Sequence, residues 1–335
     1  MNRLAVVVLN WNGIDDTLLC FGSLLKQSAS DFTIVIVDNG SVDTSKEILK
    51  KLQTDHPDRL VVLYNPYNKG FAGGVNTGIV WALKNDFQSV ILFNNDAVAD
   101  AKWLESLNEA SKDKKVGIVT GLLLHSDGKT IDSTGEQYTK WGLPFPRQRD
   151  LATDVAHVGG YTFGATGGAT LYKTSVFEDI GLFDEDFFAY YEDTDISFRA
   201  QLAGWKVLYT PDAIAYHKQG ATSSKIPGFA VRQTFKNLPL LFLKNVPLRL
   251  YLPIGARFYF AYWLMFFNTF KNKTGWVATK GMLMSVALTP KKFVERWHIQ
   301  HMKRVKTSYI SSIIWNDLPP DQTGMRKVRK FFTGK

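Results

Sequence analysis

Residues 90–96 read Val-Ile-Leu-Phe-Asn-Asn-Asp, and the fold can be inferred by starting from them. Four consecutive apolar residues predict a strand that is buried on both faces, and the polar residues after them mark its carboxyl end. The same arrangement occurs earlier in the chain, where the apolar segments 4–9, 33–37 and 60–64 are each followed at once by Asn or Asp. The sequence therefore predicts four buried parallel strands.

Segments with helical spacing separate these strands. We predict helices at 15–25, 44–53, 70–83 and 102–111, where apolar residues recur every three or four positions or a glycine-rich start precedes them. Strands that alternate with helices of about a dozen residues are typical of a doubly wound α/β sheet. Ligands of such sheets bind beyond the carboxyl ends of the strands, which is where the polar residues of this chain fall.

The strand–helix alternation loosens after residue 115. Residues 116–170 are predicted to form short strands and turns, because Gly and Thr are frequent there. Two further helices are predicted at 174–178 and 195–203, and a strand at 207–210 is followed by Pro211. We predict a division into an α/β domain with two halves and a helical C-terminal region, namely 1–228 (halves 1–115 and 116–228) and 229–335.

The C-terminal region differs sharply in charge. The chain has a net charge of +9, yet residues 1–224 contain 20 Lys+Arg and 28 Asp+Glu, whereas residues 225–335 contain 20 and 3. The longest uncharged apolar run, 258–270, is shorter than the roughly 20 residues that span a bilayer. A basic, aromatic-rich helical region lies in the membrane interface more often than across it. We predict that residues 235–310 dock on an anionic membrane surface; the alternative is a helical subdomain that packs on the rest of the chain or forms a dimer.

Composition narrows the class of protein further. Hydrophobic residues make up 45% and charged residues 21%, which is typical of a globular protein and not of a disordered one. The single cysteine, Cys20, excludes an internal disulfide framework and fits a reducing compartment. The start of the chain has neither a long apolar core nor a small-residue cleavage site, so we expect no signal peptide.

Two polar motifs follow predicted strands. In Asn94-Asn95-Asp96, a carboxylate at a strand end can hold a divalent cation with hard oxygen ligands, Mg²⁺ or Mn²⁺. The alternative is an Asx turn that closes the strand. In Asp38-Asn39, a carboxylate and an amide can hydrogen-bond a nucleobase edge, and the alternative is a turn followed by a helix cap.

Three further features carry candidate chemistry. The glycine-rich segment 68–76 opens a helix, where backbone and helix N-terminus can approach a phosphate. The acids in 192–195 precede a helix, so one of them can serve as a general base, or they can simply favour the positive end of the helix dipole. His217 follows a predicted strand, and such a histidine by itself is more often structural than a ligand.

Taken in order, the segments 7–13, 38–43, 68–76, 94–96 and 192–199 resemble the family 2 glycosyltransferases of the GT-A fold. The likeness is greatest to the rhamnosyltransferase-like branch that builds bacterial surface polysaccharides. It covers the chain from its start to about residue 220. The resemblance implies a GT-A type, nucleotide-binding, doubly wound mixed sheet, with a nucleotide-binding half, an acceptor-binding half and a membrane-associating helical region after them.

The resemblance also implies roles for individual residues. Asp193 matches the catalytic base, and Glu192 would bind the acceptor or orient that base. Asp96 would hold the metal ion with support from His217, although Asn94 stands where the family has the first acid of its Asp-x-Asp motif. Asp38 would contact the nucleobase. The residues implied for the nucleotide-sugar site are Asn10, Asn12, Asp38, Asn39, Lys69, Gly70, Phe71, Asn76, Asn94, Asn95, Gly167 and Gly168.

The implied reaction is an inverting transfer of rhamnose or another hexose from a UDP- or dTDP-sugar to a hydroxyl of a lipid-linked or cell-surface glycan. It would take place in the cytoplasm, on the inner face of the membrane, without a nucleic-acid partner; a homo-oligomer is left open. A nucleotide-binding oxidoreductase would carry G-x-G-x-x-G after the first strand, where this chain has Asn-Trp-Asn-Gly at 10–13. A sugar-phosphate nucleotidyltransferase usually has a Gly- and Lys/Arg-rich loop there. A non-catalytic nucleotide-sugar-binding protein would tolerate loss of the acids, yet Asp38, Asp96 and Asp193 are present.

Overall fold

The computed structural model describes residues 3–218 and 226–316, and these form twelve strands and ten α-helices. The strands are β1 (Leu4–Asn10), β2 (Phe32–Asp38), β3 (Leu60–Tyr64), β4 (Ser89–Asn94), β5 (Ala97–Ala99), β6 (Val116–His125), β7 (Ile131–Ser133), β8 (Glu136–Tyr138), β9 (Pro144–Pro146), β10 (Gly160–Thr162), β11 (Ala169–Lys173) and β12 (Lys206–His217). The helices are α1 (Ile14–Leu24), α2 (Ser45–Asp55), α3 (Gly70–Lys84), α4 (Trp103–Ala110), α5 (Thr174–Ile180), α6 (Glu192–Ala203), α7 (Phe229–Asn245), α8 (Leu248–Lys271), α9 (Gly275–His301) and α10 (Thr307–Ile313).

The central sheet is mixed, with the order β10-β12-β6-β11-β4-β1-β2-β3. The four predicted strands of the first half are its parallel part, since β3, β2, β1 and β4 pair in parallel. Next to them, β11 runs antiparallel to both β4 and β6, and β6 pairs in parallel with β12. β8 and β9 form a separate hairpin. The prediction of an α/β fold built on a mixed sheet is confirmed.

Two strands of the second half are longer than predicted. β6 contains ten residues and crosses the centre of the sheet, although short strands were expected in this part of the chain. β12 continues to His217, because a register shift between Tyr209 and Ile214 accommodates Pro211 as an irregularity within the strand. The predicted end of this strand at residue 210 is therefore wrong, because a strand can continue past a proline that lies at a bulge.

Helices cover both faces of the sheet. One hydrophobic core lies between the sheet and α1, α2 and α4, and it includes the buried Trp103. A second core lies on the opposite face between the sheet and α3, α5 and α6. Helix α3 approaches β1 closely because Gly74 has no side chain; a Cβ there would lie 2.5 Å from Leu9 Cδ1.

The C-terminal helices share a third core with the α/β part. Tyr138 and Phe198 belong to the same buried cluster as Phe242 and Phe258, on α7 and α8. The domain division at residue 228 stays a prediction, but no gap in hydrophobic packing marks it. None of the described helices is long and apolar enough to cross a membrane. Residues 317–335 of the predicted C-terminal region lie outside the described residues.

Candidate active site

The carboxyl ends of β1, β2 and β4 lie side by side at one edge of the sheet. Asn10 lies opposite Asp38 in the register, and Leu9 lies opposite Asn94. A cavity of about 1000 Å³ opens at this edge, and its other walls come from the β8–β9 hairpin, α6, α7 and α8. The cavity therefore joins the predicted nucleotide-binding edge to the acids of α6 and to the C-terminal helices.

Asp96 and His217 meet at this cavity because β5 pairs antiparallel with the end of β12. His217 lies opposite Ala97 in that pairing, and Lys218 N–H donates to the Asp96 carbonyl. His217 Nε2 lies 3.0 Å from Asp96 Oδ1 and 3.1 Å from Asn94 Nδ2. Asp96 and His217 could hold a divalent ion such as Mg²⁺ or Mn²⁺, with the His217 ring giving up a proton to do so.

Behind His217 lies a second carboxylate, which sequence reasoning missed. His217 Nδ1 is 2.7 Å from Asp132 Oδ2, and Arg149 Nη2 donates to the other oxygen of Asp132 at 2.6 Å. Burial alone would lower the pKa of His217, but its bonds to Asp132 and Asp96 outweigh burial and raise the pKa to about 9. Burial alone would raise the pKa of Asp132, but the hydrogen bond with His217 and the charge of Arg149 outweigh burial and lower that pKa. A carboxylate behind a histidine fixes the ring orientation that a metal ligand requires.

Two acids in the first turn of α6 face the same cavity. Gly167 N–H donates to Asp193 Oδ2 at 3.2 Å, and Thr194 N–H donates to Asp193 Oδ1 at 2.7 Å, so both oxygens are oriented. Burial raises the pKa of Asp193 despite these bonds. Burial and the nearby charge of Asp193 raise the pKa of Glu192 to about 8. Glu192 Oε2 has no hydrogen-bond partner among the described residues.

A third acid, Glu136, completes this group and was not predicted. It lies on β8, lines the cavity and is 7% exposed. Burial, followed by the charge of Asp193, raises its pKa well above the usual range. Its place depends on the bonds between its backbone and that of Gly164, and no sequence pattern indicates them. The cavity thus holds a buried cluster of three carboxyl groups opposite the sheet edge.

The structure places the predicted nucleotide-sugar residues in two groups. One group lines the cavity with the acids and His217, and consists of Asn39, Gly70, Phe71, Asn94, Asn95, Gly167 and Gly168. The second group lies behind this lining, and consists of Asn10, Asn12, Asp38, Lys69 and Asn76. Asp38 is fully buried and accepts hydrogen bonds from Asn10 Nδ2 and Ser41 N–H, while Asn76 bonds the backbone of Phe183. The roles of both groups stay predictions.

A strained turn, residues 188–191, leads into α6. Phe188, Tyr190 and Tyr191 all have positive φ, between 63° and 72°, which costs energy in residues with side chains. The turn packs against Gly70, where a Cβ would lie 2.4 Å from Phe188 O. From the other side, Asn237 Nδ2 on α7 donates to the carbonyls of Phe187, Ala189 and Tyr190 at 2.8–2.9 Å. A residue of the C-terminal region thus holds the turn that precedes the acids.

A separate acid group lies away from this cavity. Within the described part of the chain, Asp184, Asp186 and Glu295 are close enough to share a cation. The buried Lys292 ammonium already lies among them, 2.5 Å from Asp184, 2.7 Å from Asp186 and 2.8 Å from Glu295. We interpret this group as an ion-pair network between α9 and the 184–186 segment, because an ammonium fills the space that a metal would need.

The sequence matches the model of a known enzyme family. The profile of the family described as "Glycosyl transferase family 2" matches residues 5–181, and the chain belongs to that family. The predicted resemblance is therefore confirmed at the level of the family. The mixed α/β sheet matches the fold of solved GT-A glycosyltransferases.

Individual relatives agree with this assignment. The chain is 26% identical over 219 residues to an uncharacterized glycosyltransferase of Nostoc sp., a match that spans 64% of each chain. It is 36% identical over 220 residues to an N-acetylglucosaminyl-diphospho-decaprenol L-rhamnosyltransferase of Mycobacterium tuberculosis, covering 58% of this chain and 69% of that protein. The mannosyltransferase PcManGT of Pyrobaculum calidifontis, solved with GDP-Man and Mn²⁺, covers 93% of this chain and 85% of its own, with a TM-score of 0.55 and 16% identity. That last likeness shows the fold.

Proposed function

We propose that this chain is an inverting glycosyltransferase that moves rhamnose or another hexose from a UDP- or dTDP-sugar to a hydroxyl of a lipid-linked or cell-surface glycan. The observation that carries the proposal is the single cavity that holds both Asp193, with its two oriented oxygens, and the Asp96–His217 pair. The family membership and the rhamnosyltransferase named above support the choice of reaction and of sugar.

In the proposed reaction, Asp193 takes the proton of an acceptor hydroxyl. The acceptor oxygen forms a bond to the anomeric carbon while the bond from that carbon to the diphosphate oxygen breaks on the opposite face, which inverts the configuration. The N–H groups of Gly167 and Thr194 hold the Asp193 carboxylate in place. Glu192, which is neutral at pH 7 when its pKa is about 8, donates a hydrogen bond to the acceptor or orients the base.

Asp96 and His217 are the residues that would hold a divalent ion, and Asp132 would orient His217 behind them. A bound Mg²⁺ or Mn²⁺ supplies neutralisation of the charge that develops on the departing nucleoside diphosphate. PcManGT, whose solved complex contains Mn²⁺, supports the choice of ion. The side chains that line the cavity at the sheet edge, including Asn39 and Phe71, would border the nucleotide and its sugar.

The test compares Asp193→Asn with the parent in an assay that detects release of the nucleoside diphosphate. We expect turnover to fall by about 10²–10⁴-fold, the usual contribution of a general base, while calorimetric binding of UDP or dTDP with Mn²⁺ is unchanged. Asp212→Asn, an exposed acid on β12, is the matched control and should keep full activity. If Asp193→Asn retains the parent turnover, Asp193 is not the base.

We also propose that the outer face of α8 contacts the inner face of an anionic membrane. Phe260, Trp263, Phe267 and Phe270 are 44–62% exposed and recur at helical spacing, so they form one aromatic stripe. Basic residues flank the stripe, and aromatic rings beside cations suit the membrane interface. Helix α7 does not share this role, because most of its residues are buried in the shared core.

The membrane contact is tested with point variants, since truncation at residue 228 would remove part of that core. The double variant Phe260→Ser, Phe267→Ser should sediment with phosphatidylglycerol vesicles about tenfold less than the parent, because it removes two exposed rings. Leu19→Ser, which removes a 66%-exposed residue of α1, is the control. Equal sedimentation of the two variants would show that α8 is not the contact.

A further inference from the structure

A second cavity, of about 950 Å³, is lined by none of the residues that line the active-site cavity. It is formed where the start of α8, the end of α9 and the segment leading into α10 meet. Arg249 lies on its α8 side, Arg296 and Trp297 lie on its α9 side, and Lys303 and Lys306 lie on the connecting segment. No acidic side chain is among the described residues that line it.

The basic residues of this cavity divide into structural and available groups. Arg296 is a structural wall, because its Nη1 donates to the carbonyls of Leu243 and Val246 at the end of α7. Lys303 donates to the hydroxyl of Thr307. Arg249 and Lys306 are exposed and form no ion pair within the described part of the chain. The cavity therefore has positive charge that the described residues do not neutralise.

The first turn of α8 adds to this positive potential. Arg249 lies in that turn, which contains no acid, and Pro247 at its start forms no side-chain cap. A cation at the positive end of a helix is unfavourable unless an anion is present to interact with both. The 24-residue α8 and Arg249 therefore direct the same sign of charge into one cavity.

Apolar side chains border the charged part. Phe293 and Trp297, which are 56% and 59% exposed, lie in the lining one turn apart on α9, and Leu248 is 78% exposed at the start of α8. Exposed rings beside unneutralised cations suit a ligand with an anionic head and an apolar tail. A ligand with charge alone would leave these apolar surfaces in water.

We propose that this cavity binds a phosphate group, and that the phosphate is the head group of an anionic phospholipid. The cations Arg249 and Lys306 contact the phosphate oxygens, and Trp297 and Phe293 contact the adjoining glycerol and acyl chain. A phosphate in solution offers the same oxygens, so the experiment separates the two sources. The inference extends the membrane contact proposed above. The phosphate site itself does not depend on that contact; only the identification of the phosphate as a lipid head group rests on it.

The test uses the full chain and two soluble probes, inorganic phosphate and monomeric dihexanoylphosphatidylglycerol below its micelle concentration, in calorimetric titrations. The pocket variant is Arg249→Gln, Lys306→Gln. The control, Lys46→Gln, Lys50→Gln, removes the same charge from exposed positions of α2. We expect saturable binding of the lipid to the parent and the control, and binding about tenfold weaker or more to the pocket variant, since charge-assisted bonds are lost.

Each outcome decides the proposal or its source. Tighter binding of the lipid than of phosphate, with a loss in Trp297→Ala for the lipid alone, identifies a phospholipid. Equal affinities and no effect of Trp297→Ala overturn the lipid assignment in favour of free phosphate. Equal weakening in the pocket variant and the control, or no saturable binding of either probe, overturns the pocket. If vesicles fail to sediment the parent while the monomeric lipid binds, the membrane contact fails and the pocket stands.

Discussion

Replacing Asn237 by Ala should both destabilise the protein and slow its reaction. The Asn237 amide donates to three carbonyls of the turn that leads into α6, and the residue is fully buried. Phe187 O keeps a second donor, Lys236 Nζ, so the variant deprives mainly the carbonyls of Ala189 and Tyr190. Each buried acceptor that loses its partner costs about 1–3 kcal/mol.

One structural detail reduces this cost. Asn237 Oδ1 has no hydrogen-bond partner among the described residues, so removing the amide also removes one buried, unsatisfied oxygen. Relief of that oxygen offsets about 1 kcal/mol, which leaves a net loss of about 1–5 kcal/mol in the free energy of unfolding for the two carbonyls. The turn holds three residues at positive φ, so it can relax to less strained conformations once the amide is gone.

The assay combines urea unfolding with steady-state kinetics. Because the turn carries Tyr191 directly before Glu192 and Asp193, we expect kcat to fall while the KM for the donor changes little. Asn85→Ala is the matched control: it removes one exposed bond, to Trp81 O, and should stay within about 0.5 kcal/mol of the parent. An unfolding free energy for Asn237→Ala equal to that of Asn85→Ala would refute the reasoning, and so would a loss of stability with kcat unchanged.

Three further predictions concern single residues. The pKa of Glu192 is about 8 in the folded chain, against about 4.3 in the unfolded chain, so folding takes up a proton between these two pH values. The free energy of unfolding therefore falls as the pH rises through this window. Because Gln does not titrate, Glu192→Gln should gain stability relative to the parent between about pH 5 and pH 8 in urea titrations. Lys292→Met removes the ammonium shared by Asp184, Asp186 and Glu295, although Lys244 stays beside Asp184 and Lys291 beside Asp186, and it should lower the free energy of unfolding by about 1–3 kcal/mol in calorimetry or urea titration; an unchanged free energy would contradict the network. Gly70→Ala forces a Cβ against Phe188 O at a φ of +72° and should weaken binding of UDP or dTDP in a thermal-shift assay, whereas unchanged binding would separate this turn from the donor.

The first half of the fold could be predicted because its strands are buried on both faces. A parallel strand in the centre of a sheet appears as a continuous apolar run, so the observed β3 has the predicted bounds and β1, β2 and β4 extend the predicted segments by a residue at one or both ends. The second half is held by the antiparallel pairs of β11 with β4 and β6, and by the parallel pair of β6 with β12, whose register shifts at Pro211. Such pairings depend on distant partners, and no local pattern encodes them.

The same difference explains which site residues were missed. Asp96 and Asp193 stand directly after a strand and at the start of a helix, where sequence position indicates a ligand edge. Asp132 and Glu136 lie on three-residue strands that owe their place to β6 and to Gly164, so nothing in their neighbourhood marks them. Where the sequence shows no regular strand or helix pattern, an acid can be assigned to a site only once the pairing of the neighbouring strands is known.

The C-terminal helices are both a wall of the active site and the exposed surface of the chain. Met265 of α8 lines the active-site cavity, while Trp263 and Phe267, two positions to either side of it, are exposed on the outer face. Helix α7 holds the turn before the acids through Asn237, and α9 is tied to the 184–186 segment through Lys292. A surface that contacts a membrane would therefore lie one helix diameter, about 10 Å, from the wall of the cavity that Met265 forms. That short separation is the physical reason to expect an acceptor presented at a membrane surface, because it could enter the cavity without leaving the lipid.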